Sequence, residues 1–183
     1  MKLCSKFSSS AQELTKLRSL LGLSMFIAIG VILRVFLTIQ LSQSQRIGTS
    51  FLAFALIGML YGPAAGLIGG AIIDVLAFFL KPTGGFFIGF TICAALSVVI
   101  YGVFFDRENP RFWRVLVAQL LVSVLLNWLL TSYWLPFFSG SKTWVAYLYQ
   151  RGSWELIMLP VQMIVIAAAL KAGQMAVGRH KRL

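Results

Sequence analysis

The stretch FLAFALIGMLYGPAAGLIGGAIIDVLAFFL, residues 51–80, decides the fold. It is a continuous apolar block rather than an alternating one, and it carries a single charge, Asp74. A block of this kind crosses a membrane as helix, the conformation that satisfies its backbone internally. Gly62 and Pro63 interrupt it, and a proline removes one helical hydrogen bond and clashes with the preceding turn. The stretch is therefore expected to form two short spans, about Phe51 to Tyr61 and about Ala64 to Leu80. Gly58, Gly62, Gly66 and Gly70 recur every fourth residue, a small-residue row along which backbones approach closely. Tight packing within one chain is favoured over dimerisation as its purpose.

The rest of the chain has the same character. Of its 183 residues 59% are hydrophobic and 11% charged, more apolar surface than a soluble domain of this length can hide. The expected class is an all-α membrane protein with six transmembrane helices, formed by a single domain over 1–183. The other four spans lie at about Leu20 to Ile39, Phe86 to Phe105, Trp113 to Pro136 and Trp154 to Ala172, each near the roughly 20 residues that cross a bilayer. Polar tails flank them at about 1–18 and 173–183. The net charge of +11 would suggest nucleic acid in a soluble protein, but here the bases cluster at span ends, where anionic headgroups explain them. With the N-terminus inside, eleven Lys and Arg lie on the cytoplasmic side, against Arg46, Lys81, Lys142 and Arg151 outside. Both termini are thus expected in the cytoplasm. Cys4 and Cys93 are placed too differently to form a disulfide.

An ionisable residue inside a span is costly and marks function by default. Arg34 and Asp74 each lie five or six residues from the outer end of their helices, roughly 8 to 9 Å deep at ~1.5 Å per residue. Thr91, Thr131 and Ser132 enter at a similar depth, with Asn127 and Gln162 a turn or so deeper. The inner halves offer only serines, such as Ser24, Ser97 and Ser123, which can bond to their own helix. This describes a cup open to the outside with a basic rim of Arg46, Lys81 and Arg151. The alternative is that Arg34 and Asp74 merely neutralise each other. The aromatics Phe86, Phe87, Phe90, Trp134 and Trp144 share the outer level, as pocket wall or interfacial belt.

No phosphate-binding loop occurs; GSKT at 140–143 lacks the required glycine before lysine. The one histidine is His180, and no paired carboxylates or nucleophile elbow appear. The expectation is a binding protein, not an enzyme, with no metal and no cofactor. A self-sufficient carrier or channel usually needs a polar path through both membrane halves.

The strings RIGTSFLAFALIGMLYGP (46–63), GGAIIDVLAFFLKPTGGFFIGFT (69–91), IYG (100–102) and LIMLPVQ (156–162) resemble, in order, the substrate-binding S components of energy-coupling factor (ECF) vitamin transporters, most closely the folate group. PTGGFFIGFT is the most specific of them. The pattern departs at Ile88, where proline is common, and at Thr131, where asparagine is typical. The resemblance implies six helices that bind a vitamin from outside, in a multi-pass protein of the bacterial plasma (inner) membrane. It also implies a separate transmembrane coupling protein and two ATPase subunits as partners. Ser24 and Ala28 match the small-residue row with which the family's first helix docks on the coupling protein. For folate, Asp74 is expected to accept the fork of ring N–H and amino donors, and Phe87 and Phe90 to stack on the ring. Thr91, Asn127, Thr131, Trp134 and Arg34 complete the wall, while Arg46, Lys81 and Arg151 meet the tail carboxylates. The alternative ligand is pantothenate or another small vitamin. The loops at Leu41 to Thr49 and 81–86 are expected to cover the cup.

Overall fold

The computed structural model describes residues 2–40, 46–82, 86–105, 112–139 and 144–180. Its elements are α1 (Lys2–Glu13), α2 (Leu17–Phe36), α3 (Phe51–Leu80), α4 (Ile88–Phe104), α5 (Phe112–Leu121), α6 (Thr131–Ser139) and α7 (Trp144–His180). A π-helical stretch, Val122–Leu130, joins α5 to α6. Among the described residues, the regular structure is helical apart from one two-residue antiparallel ladder, β1 (Ile39–Gln40) with β2 (Arg46–Ile47), which the sequence did not foreshadow.

The break in the quoted stretch is a hairpin. Gly62 adopts φ 79° and ψ −173°, a backbone region that side chains with a Cβ rarely enter. Beyond it the chain reverses: a Cβ at Gly69 would lie 3.5 Å from Ile57 Cγ2, whereas these positions would be roughly 18 Å apart along an unbroken helix. Gly30 of α2 touches Ala53 on one arm and Ile73 on the other at once, so the arms run antiparallel.

The glycine row now has an explanation inside the chain. A Cβ at Gly58 would meet Gly102 N at 2.7 Å, one at Gly66 Val98 Cγ1 at 2.7 Å, and one at Gly70 Ala94 O at 2.9 Å. The second arm of α3 therefore runs backbone-close and antiparallel to α4, and Gly58 brings the first arm against α4 at Tyr101 and Gly102, as small-residue rows allow. Fully buried Ile57, Ile73, Val98, Tyr101, Ile166 and Leu170 fill the centre. The outward faces are also apolar: Leu21, Met25, Ile32 and Phe36 on α2, and Ile68, Ile72 and Phe79 on α3. A water-facing surface would avoid so continuous a patch, and a lipid-facing one requires it.

Among the described residues three helices are long and apolar enough to cross a membrane, Leu17–Phe36, Phe51–Leu80 and Phe112–Trp134. A fourth candidate is α7, bent by 47° between Trp144–Ser153 and Glu155–Lys171. The apolar α4 has 17 residues.

The N-terminal segment is no loose tail. Helix α1 packs across the hairpin bend, where the Ser10 hydroxyl donates to Tyr61 O at 2.5 Å and accepts from Ala65 N–H at 3.2 Å. Those backbone groups flank the Gly62-Pro63 break and have lost their helical partners there. Lys6 Nζ donates to Val103 O at 3.0 Å, tying α1 to the last turn of α4 as well. Burial, with the Arg114 guanidinium adding to it, pushes Lys6 below the ordinary lysine pKa.

Candidate ligand-binding site

Three of the expected residues converge. Arg34, from the last turn of α2, forms an ion pair through Nη2 with Asp74 Oδ1 in α3. Thr91 Oγ1 in α4 donates to Asp74 Oδ2 at 2.7 Å. Asp74 is 4% exposed and held from both sides, so its carboxylate is fixed in place and its charge balanced. The side chain of Arg34 stays 30% exposed. Its other nitrogens keep N–H donors in a rigid planar fork, suited to oxygen or ring-nitrogen acceptors.

Aromatic rings form a second group. Phe87 and Phe90 meet edge to face with centroids 5.8 Å apart, and Phe87 tilts against Trp134 at 5.2 Å. A Cβ at Gly89 would run into the Phe87 ring and lie 3.1 Å from Trp134 Cδ2, so the glycine of GFT is what lets these rings close on one another. Phe86 instead packs on Phe78 at 5.2 Å and is half exposed. Trp144 is exposed.

Helix six of the hydropathy reading looks different in space. Arg151 was expected on an outer loop; the structure places it within α7, its side chain only 17% exposed, with Nη2 4.0 Å from Glu155 Oε1. Arg151 and Asp74 both lie within electrostatic reach of the Cys93 thiol, which also meets the Thr131 hydroxyl. Thr131 Oγ1 donates to Leu126 O at 2.8 Å across the wide π-type turn, a geometry often found at functional sites. Asn127 sits half-buried within that stretch. Ser132, fully buried, has no hydrogen-bond partner among the described residues.

Lys81 does not join the cluster: it is exposed and its Nζ donates to Val35 O at 3.3 Å, capping the end of α2. The side chain of Arg46, Lys142 and, from the two segments expected to cover the cup, residues 41–45 and 83–85 lie outside the described residues. Ser24 and Ala28 are exposed on α2, with Ser24 Oγ turned back to Leu21 O at 2.8 Å. Among the described residues no three of His, Cys, Asp and Glu gather into a metal-binding group.

The expectation that the inner half carries only serines is corrected. Tyr101 O–H donates to Gln119 Oε1 at 2.5 Å, and Gln119 Nε2 donates to Gln162 Oε1 at 2.5 Å and Ser123 Oγ at 3.1 Å. This network joins α4, α5, the π-helical stretch and α7. Gln162, expected in the cup wall, is thus part of a buried clamp below it. Gln119 was the available signal, an amide inside the apolar run VLVAQLLVS. Glu155 was overlooked because it falls beside the estimated start of the last span.

Known proteins resemble this chain in sequence and in fold. Residues 18–170 match the family described as the substrate-specific component of ECF transporters. The folate transporter FolT of Clostridium novyi (strain NT) is 35% identical over 156 residues, covering 85% of this chain and 90% of that protein. A folate transporter FolT from Leuconostoc mesenteroides is 33% identical over 123 residues, 64% of this chain and 66% of that one. A crystal structure of FolT bound with folic acid superposes with a TM-score of 0.76 at 32% identity, over 83% of this chain and 92% of the other. With lipid-facing helices, a charged cluster enclosed between them and a family match across most of its length, this chain belongs to the substrate-specific components of ECF transporters.

Proposed function

We propose that this protein is the folate-binding component of an ECF-type importer in a bacterial plasma membrane. The observation that carries the reading is the likeness to FolT bound with folic acid over 83% of the chain. In this reading the membrane is crossed six times with both termini in the cytoplasm. The two arms of α3 supply separate spans, and the other four are α2, α4, the α5-to-α6 unit and α7. The chain is not an enzyme; ATP hydrolysis belongs to two ATPase subunits reached through a transmembrane coupling protein. Ser24 and Ala28 on the exposed face of α2 serve as the docking row.

Asp74, held by Arg34 and Thr91, orients the Arg34 guanidinium toward acceptor atoms on the ligand ring. Phe87, Phe90 and Trp134 supply flat apolar surface for stacking. Asn127 and Thr131 add hydrogen bonds at the ring edge, Arg151 adds positive charge within the bundle, and Arg46 and Lys81 meet the tail carboxylates at the mouth. Mass spectrometry of the small molecule that copurifies with the chain tests the ligand: folate is expected, and another vitamin in its place overturns the assignment. In liposomes the chain alone should take up nothing, and ATP-independent folate uptake would refute its place as a subunit.

A further inference from the structure

The sequence holds five acidic residues, and Glu13, Asp106 and Glu108 lie in its N-terminal helix and in the segment after α4. Asp74 and Glu155 are left as the carboxylates inside the bundle, each beside an arginine. They differ in what they have to offer. Asp74 has one oxygen on Arg34 and the other on Thr91. Glu155 has Oε1 at 4.0 Å from Arg151, a separation that holds charge but makes no hydrogen bond. Its Oε2 is buried and accepts nothing among the described residues.

The direction Glu155 faces follows from its helix. Arg151, Glu155, Gln162, Ile166 and Leu170 recur at the spacing of one face of α7. The last two are fully buried, and Gln162 is bonded to Gln119 in the centre of the bundle. The face that carries Glu155 is therefore the inward one, and its carboxylate lies within electrostatic reach of the Tyr101 phenol. Arg151 lies within electrostatic reach of Cys93, and Glu155 sits one turn further along α7. Below it the Tyr101–Gln119–Gln162 clamp is already hydrogen-bonded. A buried carboxylate with an unused oxygen costs free energy unless something donates to it.

We infer that Glu155, rather than Asp74, is the carboxylate that accepts the paired N–H and amino donors of the ligand's aminopyrimidinone ring, so that the ring inserts edge-first with its donor fork toward the clamp and its tail toward the mouth. The inference rests on the folate reading above. Asp74 then acts through Arg34, on the ring's acceptor atoms, and the two arginine–carboxylate pairs read complementary edges of one ligand.

The test compares folic acid with an analogue carrying methyl in place of the 2-amino group, by calorimetry on the full chain in lipid nanodiscs. The parent should prefer folic acid at least tenfold. Glu155→Gln should bind folic acid at least tenfold more weakly and narrow that preference to less than threefold, whereas Asp74→Asn should weaken both ligands alike. Should Glu155→Gln fail to fold, Glu155→Asp, which keeps the charge and withdraws it by one methylene, must still narrow the preference at least threefold. A preference left unchanged by either Glu155 variant, or an equal loss for both ligands, overturns the inference while folate binding by the parent stands. A parent that does not bind folic acid overturns both.

Discussion

Replacing both members of the Arg34–Asp74 pair by apolar residues separates what the pair does for the fold from what it does for the ligand. Consider Asp74→Leu first. It leaves the Arg34 guanidinium without its counter-charge and the Thr91 hydroxyl without its acceptor. Stranding one partner of a buried pair costs about 3–5 kcal/mol, and a surface pair contributes about 0–1. With the Arg34 side chain 30% exposed and Asp74 5%, the loss should fall between, about 2 kcal/mol. For a chain of this size that is a fall of roughly 4–8 °C in thermal midpoint. Arg34→Met combined with Asp74→Leu removes both charges, and such exchanges are often neutral or stabilising. The double variant should therefore melt within about 2 °C of the parent, by the same scaling. Its folate affinity should fall about a hundredfold, ~2.7 kcal/mol, because the oriented donors are gone. Asp74→Asn alone should lose a similar amount of affinity. Scanning fluorimetry and calorimetry on the same preparations check both quantities. A double variant that binds folate within about threefold of the parent, ~0.6 kcal/mol, would reduce the pair to a staple between α2 and α3. One as unstable as the single would mean that charge balance is not what the pair contributes.

Lys81→Ala should cost less than about tenfold in folate affinity, ~1.4 kcal/mol, because its ammonium is exposed and already bonded to Val35 O; calorimetry reads this directly. Ala28→Trp should leave folate affinity unchanged yet abolish uptake in liposomes containing the complete transporter, since Ala28 lies exposed on α2; normal copurification with the coupling protein and normal uptake would exclude that face as the interface. Gly70→Leu should prevent recovery of folded protein, because even its Cβ would sit 2.9 Å from Ala94 O, and gel filtration after detergent extraction shows the result. Ser10→Ala should cost about 1–2 kcal/mol through two lost hydrogen bonds, and hydrogen exchange should accelerate at the Ala65 amide while distant core amides hold.

The positions of the apolar helices from α2 to α6 were legible because hydrocarbon length and apolar content translate directly into span, whereas α1 read as a polar tail and α7 begins at Trp144, ahead of the expected Trp154. The Gly62-Pro63 break was readable for the same local reason, and so was the common depth of Arg34, Asp74 and Thr91, a matter of counting residues from helix ends. What resisted was rotation about a helix axis. Arg151 reads as a rim charge when counted from the end of a span, and only the packing of α7 turns it inward with Glu155. Gln119 and Tyr101 lie far apart in the chain, and their bond depends on how α4 and α5 face each other. Ser10 belongs to a short, mainly polar segment, and its role exists because a break over fifty residues away left backbone groups open. Hydropathy has no term for such an appointment between distant residues.

The hairpin of α3 has a consequence for the lipid around it. Its first arm, Phe51 to Tyr61, extends only ~16 Å at ~1.5 Å per residue, and α4, with 17 residues, only about 25 Å. The hydrocarbon core of a typical bilayer is ~30 Å thick. If these elements each cross the membrane, as proposed above, they are shorter than that thickness, and the surrounding bilayer would thin to meet them, at a cost of a fraction of a kcal/mol for each ångström of hydrophobic mismatch. Acyl-chain length thereby becomes a control variable for this protein. Bilayers of shorter lipids relieve the mismatch and favour the isolated chain, while thicker ones penalise it and favour any association that shields its short elements from lipid.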